Sequence, residues 1–65
     1  MTKRLQNLIQ TYKGMPLGAI PYELRHDDNY GYFFSYYGKW YVVELDSDNE
    51  SIITNIKELK LKRKH

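Results

Sequence analysis

The most constraining stretch of the chain is Tyr30 to Leu45, YGYFFSYYGKWYVVEL, which holds eight of the ten aromatic residues. Aromatic and β-branched side chains favour a pleated surface because they pack against cross-strand neighbours. Two such runs flank Gly38-Lys39, and a Gly-X pair between strand formers fits a tight type II′ turn. The stretch therefore reads as a β-hairpin.

With Gly38 and Lys39 at the tip, Tyr37 faces Trp40, Tyr36 faces Tyr41, Phe34 faces Val43 and Tyr32 faces Leu45. Side chains alternate sides along a strand. One face then carries Tyr32, Phe34, Tyr36, Tyr41, Val43 and Leu45 and is expected to meet the core. The other carries Phe33, Ser35, Tyr37, Trp40, Val42 and Glu44, a mixed surface with three large rings.

Upstream, Leu5, Leu8, Ile9 and Tyr12 recur at i, i+3, i+4 and i+7, which predicts an amphipathic helix over 2–13. Thr2 can cap its start and Gly14 its end. A helix of about 12 residues is marginal alone, so it is expected to pack on the apolar face of the hairpin. Met15 to Pro21 is a connector, because Pro16 and Pro21 force the preceding residues out of helical geometry. Residues 22–25 alternate and read as a first strand, followed by a polar turn at His26 to Asn29. The hairpin strands cover 30–37 and 39–45. After a turn at Asp46 to Asn49, residues 50–55 return as a fourth strand, with Ile52 on the core face and Ile53 on the outer face. Residues 50–61 also admit a helical reading, since Ile52, Ile56 and Leu59 have helical spacing; strand followed by a short helical turn is the preferred form. Lys62 to His65 is a basic tail. The fold class is α+β: one small domain with an N-terminal helix on a three- to four-stranded antiparallel meander.

Sixty-five residues leave room for one small core, and a chain of this size buries only about 60% of its unfolded surface. Association with a partner, or with itself as a homodimer, is a natural source of further stability. With no cysteine, no apolar N-terminal run and no stretch long enough to span a bilayer, a soluble cytoplasmic protein without a membrane partner is expected. The net charge of +2 hides a pattern. The first 22 residues and the last 15 are basic, while residues 23–50 carry seven acids against Arg25 and Lys39.

Catalytic material is sparse. His26 is the one histidine within the body of the chain, and its neighbours Asp27 and Asp28 project from a turn in different directions, so they cannot orient it as a triad would. Asp46-Ser47-Asp48-Asn49-Glu50 opens like a calcium loop, but Ser51 and Lys57 stand where Gly and Glu are required. Asn49-Glu50-Ser51 matches a glycosylation acceptor only by chance in a chain without a secretory signal. Gly31 to Tyr37 lacks the basic, small and aliphatic residues of the RNA-recognition strand motif. No catalytic residue, cofactor or metal ligand is assigned.

What remains is a surface. Tyr and Trp are enriched at interface hot spots, and acidic loops steer a basic partner. The leading expectation is a small non-catalytic protein-binding module or inhibitor-type accessory protein, contacting its partner through Phe33, Tyr37, Trp40, Glu44, Asp46 and Asp48. The Lys/Asn/Tyr/Ile-leaning composition resembles that of small accessory proteins of bacterial or phage genomes. The alternative is a nucleic-acid-binding module, in which the rings stack bases and Lys60, Lys62, Arg63 and Lys64 contact phosphates.

Overall fold

A computed structural model describes residues 3–59. A helix, α1 (Lys3–Tyr12), is followed by a connector with a single 3₁₀ turn at Leu17–Ala19. Four strands then follow, β1 (Arg25–Asp27), β2 (Gly31–Tyr36), β3 (Lys39–Leu45) and β4 (Ile53–Leu59). They form one antiparallel sheet in the order β1-β2-β3-β4, a meander with α1 packed on one face. This is the α+β arrangement the sequence implied.

The periodic helix face is the buried one. Leu8 is buried, and Leu5, Ile9 and Tyr12 pack around the same cluster as Phe34, Tyr41, Val43, Ile53 and Ile56. Gly14 ends the helix at a φ of 86°, which an L side chain resists, and its N–H donates to the Ile53 carbonyl at 2.7 Å. The connector continues along the start of β4: Ile53 N–H donates to Met15 O and Leu17 N–H to Ser51 O. It thus occupies the part of that edge nearest the β3–β4 loop. Thr2, the expected cap, lies outside the described residues.

The hairpin turn differs from the expected one. Its two central residues are Tyr37 and Gly38, with φ of 52° and 76°, not Gly38 and Lys39. Positive φ at both positions is the type I′ geometry, whose twist matches that of the flanking strands. Tyr36 now pairs with Lys39, Ser35 with Trp40, Phe34 with Tyr41 and Phe33 with Val42. Moving the turn by one residue shifts every partner by two, so the parity of the faces survives. Phe34 and Tyr41 are fully buried on the helix side, with ring centres 5.9 Å apart.

Two strand boundaries also differ. The first strand covers Arg25–Asp27, not 22–25. Tyr22 instead folds over the sheet, its ring stacked on Phe34 at 5.4 Å and tilted on Tyr36 at 5.1 Å, so its alternation with Leu24 reflects core packing without a ladder. The fourth strand covers Ile53–Leu59, not 50–55, and replaces the helical turn expected after Asn55. The loop before it is longer because two side chains fold it: Asp46 accepts the Asp48 N–H at 2.9 Å and Asn49 accepts the Ser51 N–H at 3.1 Å. Leu45 pairs with Ile53 and Glu44 with Asn55, which leaves Thr54 bulged between them. The bulge reverses the side-chain alternation, so Ile53 and Ile56, three apart, both point inward and are essentially unexposed. Ile53 is therefore a core residue, not an outer one, and Ile52 bridges to Pro16 at the margin.

Candidate functional site

The sheet face away from α1 is set by this register. One row across all four strands reads Arg25, Phe33, Val42 and Lys57; the next reads Ser35, Trp40 and Leu59; a third pairs Glu44 with Asn55. Phe33, Trp40, Val42 and Leu59 form its apolar centre, all half-buried. Phe33 and Trp40 meet edge to face, with ring centres 5.4 Å apart and planes at 64°. The connector, the Tyr22–Leu24 segment and α1 pack on the core side instead.

The rim of this patch is charged and internally paired. The Lys57 ammonium lies 3.1 Å from the Glu44 carboxylate, whose other oxygen accepts the Asn55 amide at 3.1 Å. Arg25 sits 6.0 Å from the Trp40 ring centre, with Glu23 3.9 Å away. These pairs are exposed, so each contributes little to stability; their effect is to hold long side chains around the apolar centre.

The expected partner-binding residues fall into three groups. Phe33, Trp40 and Glu44 share the outer face. Tyr37 does not join them. As a turn residue it leans to the helix side, edge-on to Tyr36 at 4.6 Å, with the Arg4 guanidinium 4.3 Å from its ring centre. Asp46 and Asp48 lie in the β3–β4 loop at the far end of the sheet from Trp40, and the Asp46 carboxylate is committed to the turn. Lys60, Lys62, Arg63 and Lys64 lie outside the described residues. Arg25, Val42, Lys57 and Leu59 complete the face but were not among the expected site residues; the extent of β1 decides where Arg25 falls and that of β4 where Lys57 and Leu59 fall.

The topology also resolves the charge pattern. In a meander the β1–β2 and β3–β4 loops lie at one end and the β2–β3 turn at the other. Asp27, Asp28, Asp46, Asp48 and Glu50 therefore gather at one end, while Lys3, Arg4 and Lys39 gather at the hairpin end. The separation is partial: Glu58 lies beside Lys39 at the hairpin end, and Lys13 precedes Gly14, which bonds Ile53 near the acidic loop.

Between the core and the hairpin end runs a tyrosine cluster. Tyr22 packs on Tyr36 with ring centres 5.1 Å apart, and its hydroxyl also feels the neighbouring Tyr12. Burial pushes the Tyr22, Tyr36 and Tyr41 hydroxyls above the ordinary tyrosine value, helped by Tyr12 at Tyr22, by the neighbouring Tyr22 at Tyr36 and by Glu58 at Tyr41. His26 is exposed on β1, its ring edge-on to Tyr32 at 4.9 Å. Among the described residues no three His, Asp, Glu or Cys side chains converge as a metal site would require, and no helix is long and apolar enough to cross a membrane. No protein-family model, curated protein or solved structure matches the chain.

Proposed function

We propose that the chain is a small non-catalytic protein-binding module of the inhibitor or accessory type, working in the cytoplasm and taking its partner on the outer sheet face. The observation that carries this reading is the Phe33–Val42 and Trp40–Leu59 patch, an apolar centre inside a polar rim, on the face opposite the helix. That is the anatomy of a recognition surface, with aromatic anchors in the middle and charged groups that fix orientation around them. The geometry favours a protein over stacked bases here. Phe33 and Trp40 are edge to face and do not offer two parallel plates, Val42 and Leu59 add aliphatic surface, and Glu44 would repel phosphate. The acidic loops at the far end would steer a partner bearing a basic rim.

The test compares immobilised wild type with a Phe33→Ser/Trp40→Ala variant, in bacterial lysate with and without nuclease. The variant's far-ultraviolet circular dichroism is checked first, because both side chains lie outside the core cluster and the fold should survive. A protein captured despite nuclease and lost in the variant supports the reading and identifies the partner. Capture that vanishes with nuclease, or persists in a folded variant, refutes it. Light scattering on the two proteins covers the self-partner case: a dimer that becomes monomeric in the variant assigns the face to a second copy.

A further inference from the structure

The hairpin end gathers features that the outer face does not use. Lys3 and Arg4 from the first turn of α1 and Lys39 from the start of β3 line a cleft of about 200 Å³ floored by Tyr41. Glu58 offsets one of the three cations, 3.9 Å from Lys39, so the cleft stays positive. Beside it stands Tyr37, 67% exposed, with Arg4 over its ring.

Two local choices here are adverse for folding. The first turn of α1 carries no acid and two cations, where the helix dipole favours anions. Tyr37 holds a left-handed φ of 52°, which the turn would fill more easily with Asn or Gly. Locally unfavourable choices that meet in one place point to function. An anion in the cleft would meet Lys3, Arg4 and Lys39 and would also relieve the first of the two costs. The acids of the β1–β2 and β3–β4 loops lie at the other end, so a polyanion would be drawn to this one.

We propose that the hairpin end is a second site, distinct from the outer face, that binds a single-stranded nucleic acid. Lys3, Arg4 and Lys39 contact backbone phosphates, and the Tyr37 ring packs against a base. Exposed rings beside a basic groove are the general means of holding a single strand without reading its sequence.

The test is fluorescence anisotropy of the full chain with a labelled oligothymidylate of about 12 nucleotides, within the span such sites cover. The variants are Lys3→Gln/Arg4→Gln/Lys39→Gln and Tyr37→Asn. Each phosphate contact contributes a log–log salt slope of about −0.7, so the triple variant should bind with a slope roughly 2 units shallower. Tyr37→Asn should weaken binding roughly tenfold at unchanged slope, as expected for one lost stacking contact. A duplex competitor of equal charge should displace the strand several-fold less well than the unlabelled single strand. No binding at low salt overturns the proposal. So does a triple variant with undiminished affinity and slope, which would transfer the binding to the lysines after Leu59. Equal competition by duplex, or by polyglutamate of matched charge, also overturns it, the latter in favour of an acidic protein surface. If the triple variant fails to fold, Lys39→Gln alone should still lose about a third of the slope difference, and an unchanged slope in that variant is equally adverse.

Discussion

Tyr37→Asn sets two opposing effects at one residue against each other. A left-handed conformation costs an L residue about 1–2 kcal/mol, and Asn is among the few side chains that tolerate it. Replacing Tyr37, whose φ is 52°, with Asn should therefore recover about 1 kcal/mol. Against this stand two ring contacts. Arg4 over the ring at 4.3 Å is an exposed cation–π contact of about 0.5–1 kcal/mol. The edge-on pair with Tyr36 at 4.6 Å contributes about 0.5 kcal/mol, the low end of the range, because the ring is largely in water. The two sides nearly cancel, and the expected change is within about 0.5 kcal/mol of zero.

Tyr37→Ala separates the terms. It forfeits the same contacts and keeps the strain, so it should destabilise by about 1–1.5 kcal/mol. Urea unfolding followed by Trp40 fluorescence resolves a difference of that size between the variants. An Arg4→Ala background gives the remaining term: the cycle with Tyr37→Ala should return a coupling of about 0.5–1 kcal/mol. Equal stability of the Asn and Ala variants would refute the turn assignment, because it would mean that Tyr37 stores no backbone strain.

The core and the tyrosine cluster give two further expectations. Phe34 has no exposed surface, and Phe34→Ala should cost about 3–5 kcal/mol, a large share of the roughly 3–10 kcal/mol that 65 residues supply, so the variant should be largely unfolded at room temperature by circular dichroism. Ile56→Val, at an equally buried site, should cost only about 0.5–1.5 kcal/mol, and a two-state melt with a Tm near that of wild type would refute the core assignment of Phe34 if it came from the Phe34→Ala variant instead. Because Tyr22, Tyr36 and Tyr41 hold their protons more firmly when folded, the unfolded chain binds fewer protons once pH passes the ordinary tyrosine value near 10, so stability should be level below that and fall above it. Tyr41→Phe should make that fall shallower in urea titrations taken from about pH 9 to about pH 11, and an identical pH profile would show that Tyr41 ionises as freely in the folded state as in the unfolded one.

The helix and the two hairpin faces were legible because each rests on a period that local errors leave intact. Leu5, Leu8, Ile9 and Tyr12 mark one helical face whatever follows them. Placing the turn one residue late moved partners by two, so Phe34, Tyr41 and Val43 still faced inward. The fourth strand was not legible, because a period-two reading assumes no bulge. Thr54 breaks the alternation, and the resulting inward spacing of Ile53 and Ile56 imitates a helix. The Asx turns at Asp46 and Asn49 lengthened the loop by means that composition does not reveal. Tyr22 and Leu24 alternate like a strand, yet after Pro21 they serve as a packed cover over Phe34. The site inherited these limits. Phe33 and Trp40 follow from the hairpin alone, whereas Lys57 and Leu59 need the register of β4, and Tyr37 leaves the group because the turn, not the strand, owns it.

The position of Tyr37 also changes what the aromatic residues can be asked to do. Counted along the sequence, Phe33, Tyr37 and Trp40 form one set, and a single partner would have to satisfy all three. In space they divide. Phe33 and Trp40 sit among Val42, Leu59 and paired rim charges, where burying apolar area is the available source of affinity. Tyr37 sits among Lys3, Arg4 and Lys39, where charge dominates and affinity should fall steeply with salt. The two surfaces lie on opposite sides of the hairpin, and each depends on residues the other does not use. A loss of protein capture in the Phe33→Ser/Trp40→Ala variant and a loss of oligonucleotide affinity in the cation variant are therefore independent outcomes. If either variant abolished both activities while remaining folded, one continuous site would replace the two, and the separation drawn from the turn geometry would be wrong.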